Sequence, residues 1–185
     1  MNKTLYLKAS GLVCLGLAIL TSSDSSSTAS QETTSILLSD DLLYESTNGS
    51  LTSMRVIEVD PTEYPRTESS FIENAVMANV GQVQNIGTYE ETIISPNITR
   101  GIGKGLLSSA TSGDMIAWTA YDQGERQSDG SYIFRGLVFF HSLTRIHPND
   151  GGSYEFAFLD NKVGSYRTVA NETASSREIW LLQGE

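Results

Sequence analysis

Ser131-Tyr-Ile-Phe-Arg-Gly-Leu-Val-Phe-Phe-His-Ser142 is the stretch on which the fold turns. Both of its parities are apolar. Tyr132, Phe134, Val138 and Phe140 fall on one face. Ile133, Leu137 and Phe139 fall on the other, together with Arg135 and His141. A β-branched and aromatic run of this kind, entered through Asp129-Gly130, reads as a strand. A strand of a small barrel is apolar inward and mixed outward. Two apolar faces therefore imply that the outside is covered too, by a neighbouring subunit or by a loop or terminus lying across it.

Outward from this stretch the same period of two recurs from Ile36 on, and no window of 11 or more residues carries a helical repeat. Leu42–Ser46 runs into Asn48-Gly49 and then Leu51–Val59, which predicts a tight type I′ hairpin. Pro61 and Pro65 close that strand. Further strands are predicted over Ser69–Val80, Gln82–Ser95, Thr99–Ala110 and Asp114–Gln123, the last two separated by Ser112-Gly113. After Ser131–Ser142 come Tyr154–Val163, Ser165–Val169 and Arg177–Leu182. An open meander of eight or nine strands would leave two free edges. Closure removes them, so the expectation is an all-β antiparallel meander closed into a barrel of about eight strands, with a sandwich as the alternative.

Gly101, Gly103 and Gly105 sit within Arg100-Gly-Ile-Gly-Lys-Gly-Leu-Leu107. The spacing fits neither the dinucleotide fingerprint nor the Walker loop, and no helix follows. On a strand the three glycines share one face, where they let the sheet coil sharply or another backbone approach closely.

Composition narrows the function classes. The 185 residues hold 12 Lys+Arg and 22 Asp+Glu, a net charge of −10. That balance disfavours nucleic acid and anionic membrane surfaces as partners. The single cysteine rules out an internal disulfide and a multi-cysteine zinc site. Lys3 and Lys8 precede the uncharged run Ala9–Leu20, the pattern of an export signal, too short for a standard membrane-spanning helix. From Thr21 to Ser35, 11 of 15 residues are Ser or Thr, which suits a flexible tether. The organisation expected is a signal peptide over 1–23 (or an uncleaved anchor), a linker over 24–38 and a β-barrel domain over 39–185. The protein would then be secreted or held at the cell surface. Asn48, Asn97 and Asn171 each begin an N-x-[ST] triplet on a predicted turn.

Catalytic signatures are sparse. No serine lies in G-x-S-x-G. Glu90 and Glu91 point to opposite faces of a strand, the wrong arrangement for acid–base work on one substrate. His141 and His147 are the two histidines, and with Asp150 they lack a third ligand at motif spacing, so no metal or other cofactor is assigned. Arg135 and His141 are the candidate ligand-binding residues. If their face is the lumen, they are orienting groups among aromatics in a cavity for a small apolar ligand. If it is the exterior, they are solvated or interfacial.

Several blocks carry a resemblance. They are Asp41-Leu-Leu-Tyr-Glu45, Arg55-Val-Ile57, Ile86-Gly-Thr-Tyr89, Gly101-Ile-Gly-Lys-Gly105, Gly113-Asp-Met-Ile-Ala-Trp-Thr119, Phe134-Arg-Gly-Leu-Val-Phe-Phe140 and Phe158-Leu-Asp-Asn-Lys-Val-Gly164, with Trp180 near the end. Together they resemble a family of small, uncharacterised prokaryotic barrels similar in fold to allene oxide cyclase. The resemblance implies a closed barrel and a homo-oligomer, since the cyclases are trimers. It implies no activity and no site residues. Three functions follow as expectations: a non-catalytic barrel holding a small apolar ligand in its lumen, an isomerase or cyclase working by positioning in an apolar cavity, and an oligomeric surface or interaction module.

Overall fold

The computed structural model describes residues 37–60, 64–143 and 154–183. The predicted leader, the predicted linker up to residue 36, and His147 with Asp150 lie outside them, while Leu37 and Leu38 belong to the first strand. Eight antiparallel strands follow one another: β1 (Leu37–Glu58), β2 (Arg66–Met77), β3 (Gly81–Ser95), β4 (Ile98–Ser109), β5 (Met115–Arg126), β6 (Tyr132–Ser142), β7 (Val163–Ala170) and β8 (Ser175–Gln183). Each pairs with the next, and β1 pairs with β8, so the sheet closes into a barrel. The alternation seen in sequence becomes inside and outside. On β5, for instance, Ile116, Trp118 and Ala120 are buried while Tyr121 is exposed.

Two turns form as their sequences demand. Gly113 and Gly130 take φ of 78° and 88°, the left-handed region that glycine tolerates. Asn48-Gly49 does not turn, which corrects the hairpin expected there. β1 runs straight through it, with a register shift between Ser46 and Gly49, and neither residue has a positive φ. The glycine serves packing instead: a Cβ on Gly49 would lie 2.1 Å from Ser175 Oγ. The strand expected over Tyr154–Val163 is also corrected. That stretch holds a short 3₁₀ turn, Ala157–Leu159, and β7 begins only at Val163. Phe156 and Leu159, three positions apart, are both fully buried, a helical spacing and not an alternating one. They join the apolar cluster of Met77, Val83, Leu107, Ile116 and Phe140, closing that end of the lumen.

β1 pairs with β8 from Leu37 to Gly49, and with β2 from Tyr44 to Glu58. Beyond Gly49 its second edge has no partner strand among the described residues.

Candidate functional site: the polar lumen and the open edge of the first strand

The lumen centre is built around Glu73. Its inward parity on β2 follows from Phe71, Ala75 and Met77, which share that face and pack into the core. A buried carboxylate must be paired and hydrogen-bonded to be tolerated. Glu73 Oε1 accepts from Tyr44 Oη at 2.7 Å and from Asn85 Nδ2 at 2.8 Å; Oε2 accepts from Ser46 Oγ at 2.9 Å. Arg177 Nη1 lies 3.2 Å from Oε1. The guanidinium also donates from Nε to Thr168 Oγ1 at 2.9 Å and sits 4.7 Å from the centre of the Phe71 ring. Trp118 Nε1 donates to Asn85 Oδ1 at 2.9 Å. Burial alone would drive Arg177 toward neutrality, but the adjoining Glu73 carboxylate holds it charged and raises its pKa.

One inward row, read across β3 to β7, runs Glu91, Gly101, Asp122, Gly136, Tyr166. Glycines alternate with large polar residues. The Asp122 carboxylate lies over Gly101, where a Cβ would come within 2.4 Å of Oδ1. In the next row the Tyr89 ring covers Gly103 in the same way, and Trp118 covers Gly105. The three glycines of β4 thus make floor space for side chains that fill the lumen. Tyr166 Oη donates to Asp122 Oδ2 at 2.5 Å. With its proton committed there, Tyr166 accepts from Tyr89 Oη at 3.1 Å, which gives the chain Tyr89→Tyr166→Asp122. Burial pushes Tyr89 up to about 12. Burial, and then the nearby Asp122 charge, push Glu91 up to about 6. Asp122 is itself raised by burial, against the pull of Tyr166, Arg177 and the Gly101 backbone. Such groups can hold a proton near neutral pH. What they lack is room: the cavity bordered by Asn85, Tyr89, Tyr166 and Arg177 measures about 10 Å³, the scale of one water.

Arg135 and His141 do not join this network. Val138 and Phe140 are the inward face of β6, buried to 4% and 0% exposure, so Arg135 and His141 point outward and are exposed. Of the two placements open for this pair, the structure shows the exterior. They stand six residues apart on one strand, on the order of 20 Å. His141 Nε2 lies 3.4 Å from Thr119 Oγ1; Arg135 faces Gln123 and Arg167 across its two neighbouring strands. The same outer face leaves Leu137 and Tyr121 exposed, with Tyr121 edge-on to Phe139.

The second half of β1 is the other unusual surface. Its outer face is polar and self-satisfied: Arg55 Nε bonds Glu68 Oε1 at 2.7 Å, and Arg66 bridges Glu58 and Glu90, both at 2.8 Å. Its inner face carries Leu51, Met54 and Val56, in register with Phe71, Ser69 and Thr67 of β2. These three remain 56%, 63% and 61% exposed, because β8 no longer runs alongside.

No protein-family model matches the chain, and no curated protein matches it. Its fold is similar to three solved barrels. A protein with unknown function from Clostridium acetobutylicum superposes with a TM-score of 0.61 at 9% identity, over 77% of this chain and 98% of that one. A conserved protein of unknown function from Rhodopseudomonas palustris gives 0.58 at 12%, over 80% and 99%. A beta-barrel like protein from Acinetobacter baumannii gives 0.55 at 12%, over 80% and 97%. The class these likenesses define is the small antiparallel β-barrel of unassigned activity. At such identities they establish the fold alone.

Proposed function

We propose that the chain is an exported, non-catalytic interaction module: a barrel filled on the inside that works through its outside by associating with further copies of itself. The observation that carries this reading is the contrast between interior and surface. An eight-stranded barrel is just wide enough either to pack its own side chains or to hold one small ligand. Here Glu73, Arg177, Trp118 and Tyr89 fill the lumen centre, and the cavity beside them measures about 10 Å³, against roughly 300–1,000 Å³ for a ligand pocket. Meanwhile Leu51, Met54 and Val56 on β1 are exposed side by side. Large apolar groups in number on a surface mark association sites. The resemblance to allene oxide cyclase-like barrels, in which the cyclases are trimers, supports the same direction. Export rests on the Lys3/Lys8 and Ala9–Leu20 pattern and the Ser/Thr tether.

Light scattering coupled to size-exclusion chromatography, on the full chain over a hundredfold concentration range, tests the reading. A rise in mass with concentration, or a fixed mass above one chain, is expected. A monomer throughout overturns it, and recovery of the protein in the cytoplasmic fraction overturns the export half.

A second reading keeps a small ligand at the Glu91–Asp122 end of the lumen. It is supported by Thr99, whose buried Oγ1 has no hydrogen-bond partner and lies beside Gly124 on that side of the barrel. Saturable binding of a hydrophobic dye at one site per chain, lost in Glu91→Gln, would favour it over the first.

A further inference from the structure

The second edge of β1 beyond Gly49 is a strand edge that no other strand pairs among the described residues. From Ser50 to Glu58 the chain stays extended for nine residues, about 30 Å. One edge is satisfied by β2 from Ile72 back to Arg66. The other presents its outward-directed N–H and C=O groups beyond the end of β8, since that strand starts at Ser175 opposite Gly49. Soluble proteins blunt such edges with charge or proline, because an open ladder recruits another strand. This edge carries no proline, it is interrupted by register shifts at Leu51/Ser53 and Val56/Glu58, and its charges offer little repulsion. Within it only Arg55 and Glu58 are charged, they cancel, and each is already paired within its own sheet.

We propose that this edge is an interface for a second copy of the same chain, formed by antiparallel pairing of β1 with its symmetry mate. The inference rests on the self-association reading above and names its surface.

Three observations select a like copy. First, each chain carries −10, so close approach of two copies is least opposed where charge is locally balanced, and 50–58 is a neutral segment. Second, the segment is self-complementary. Register shifts at Leu51/Ser53 and at Val56/Glu58 bracket a regular stretch, Ser53–Val56. A twofold axis at Met54 sets Met54 against Met54 on the apolar face, and Ser53 against Arg55 on the polar face. No like charges then oppose each other. Third, the pairing covers what the monomer leaves bare. Leu51, Met54 and Val56 from both copies form one continuous apolar strip on the inner side of the joined sheet, while Arg55 and Glu58 stay on the wet side. Main-chain hydrogen bonds supply the affinity and the strip supplies the register.

The test compares two double variants of the full chain by sedimentation velocity. Met54→Lys with Val56→Lys places like charges against each other across the axis, at positions already exposed in the single chain. At least tenfold weaker self-association is expected. Tyr121→Lys with Leu137→Lys alters the other apolar face and is expected to leave association within twofold of the native chain. In parallel, amide exchange of residues 50–58 should slow as concentration rises, and the first variant should abolish that dependence. If association survives the first variant and is lost in the second, the self-association reading stands and the edge is not its surface. If the native chain is a monomer at every concentration, both fall.

Discussion

β1 offers two regions of one strand that differ in surroundings more than in composition. Leu42–Gly49 lies between β2 and β8, and Tyr44, Ser46 and Gly49 press onto the Glu73–Arg177 centre. Among the described residues Ser50–Glu58 has β2 on one side only, and Leu51, Met54 and Val56 are exposed. Both stretches mix polar and apolar residues, so composition alone does not decide which half is enclosed. The deciding factor is where β8 begins. A strand position is buried by its neighbours' lengths as much as by its own side chain.

The comparison breaks hardest at the centre. Arg177→Met leaves Glu73 buried beside a neutral side chain, with three uncharged donors and no counter-charge. Removing one partner of a buried ion pair costs about 3–5 kcal/mol. Urea unfolding should report a loss of that size, and amide exchange in 42–48 should rise toward that of 50–58. A change below about 1 kcal/mol would mean that Tyr44, Ser46 and Asn85 hold the carboxylate unaided. Gly49→Val acts at the hinge between the two halves. Its side chain would meet Ser175 Oγ and Glu73 Oε2, prying β1 from β8. Overpacking of this kind costs about 1–3 kcal/mol, and the free edge should lengthen by several residues in exchange experiments.

A smaller effect sits on the row that links the open half to the lumen. Val56 faces Thr67, and Thr67 faces Glu91. The Glu91 pKa of about 6 lies above its ordinary value of 4.5, because burial and Asp122 disfavour the carboxylate. Between those two pH values the folded chain keeps a proton that the unfolded chain has released. The stabilising contribution is therefore complete below pH 4.5 and is lost as pH rises through 6, an effect of order 1–2 kcal/mol. Asp122 shifts in the same direction. Glu91→Gln should flatten thermal stability across pH 4.5–6.5 relative to the native chain; an unchanged slope would place the titration elsewhere.

The barrel was legible from sequence because its signals are local. Period-two alternation marks the strands, and Ser112-Gly113 and Asp129-Gly130 mark turns that form with the glycine at positive φ. Asn48-Gly49 misleads, since the same dipeptide also serves where Ser175 and Glu73 leave no space for a Cβ. Tyr154–Val163 misleads because Phe156 and Leu159 plug an end, a role defined by the closed lumen and not by the segment. The polar centre was missed for a similar reason. Glu73, Asn85 and Arg177 come from three strands that meet only when the sheet closes. The signal present was a single charged residue on an otherwise apolar face, Phe71, Glu73, Ala75, Met77. Arg135 and His141 were correctly assigned to one face of β6, but apolar residues on both faces hid which one turns inward. Glu91 looked idle beside Glu90; its real neighbour, Asp122, lies two strands away across Gly101.

The smallest expected effect discriminates most finely between the two halves. Met54→Ser removes an apolar side chain that the single chain leaves 63% exposed. Surface substitutions away from packing, caps and buried pairs fall within about ±0.5 kcal/mol. Dilute Met54→Ser should therefore unfold at the native midpoint, whereas its stability at high concentration should fall behind the native chain as the dimer ceases to contribute through mass action. A full loss already present at high dilution would mean that Met54 is buried within one chain, so that a further segment of the same molecule lies against the edge. A native midpoint at both concentrations would mean that nothing covers the strip at all.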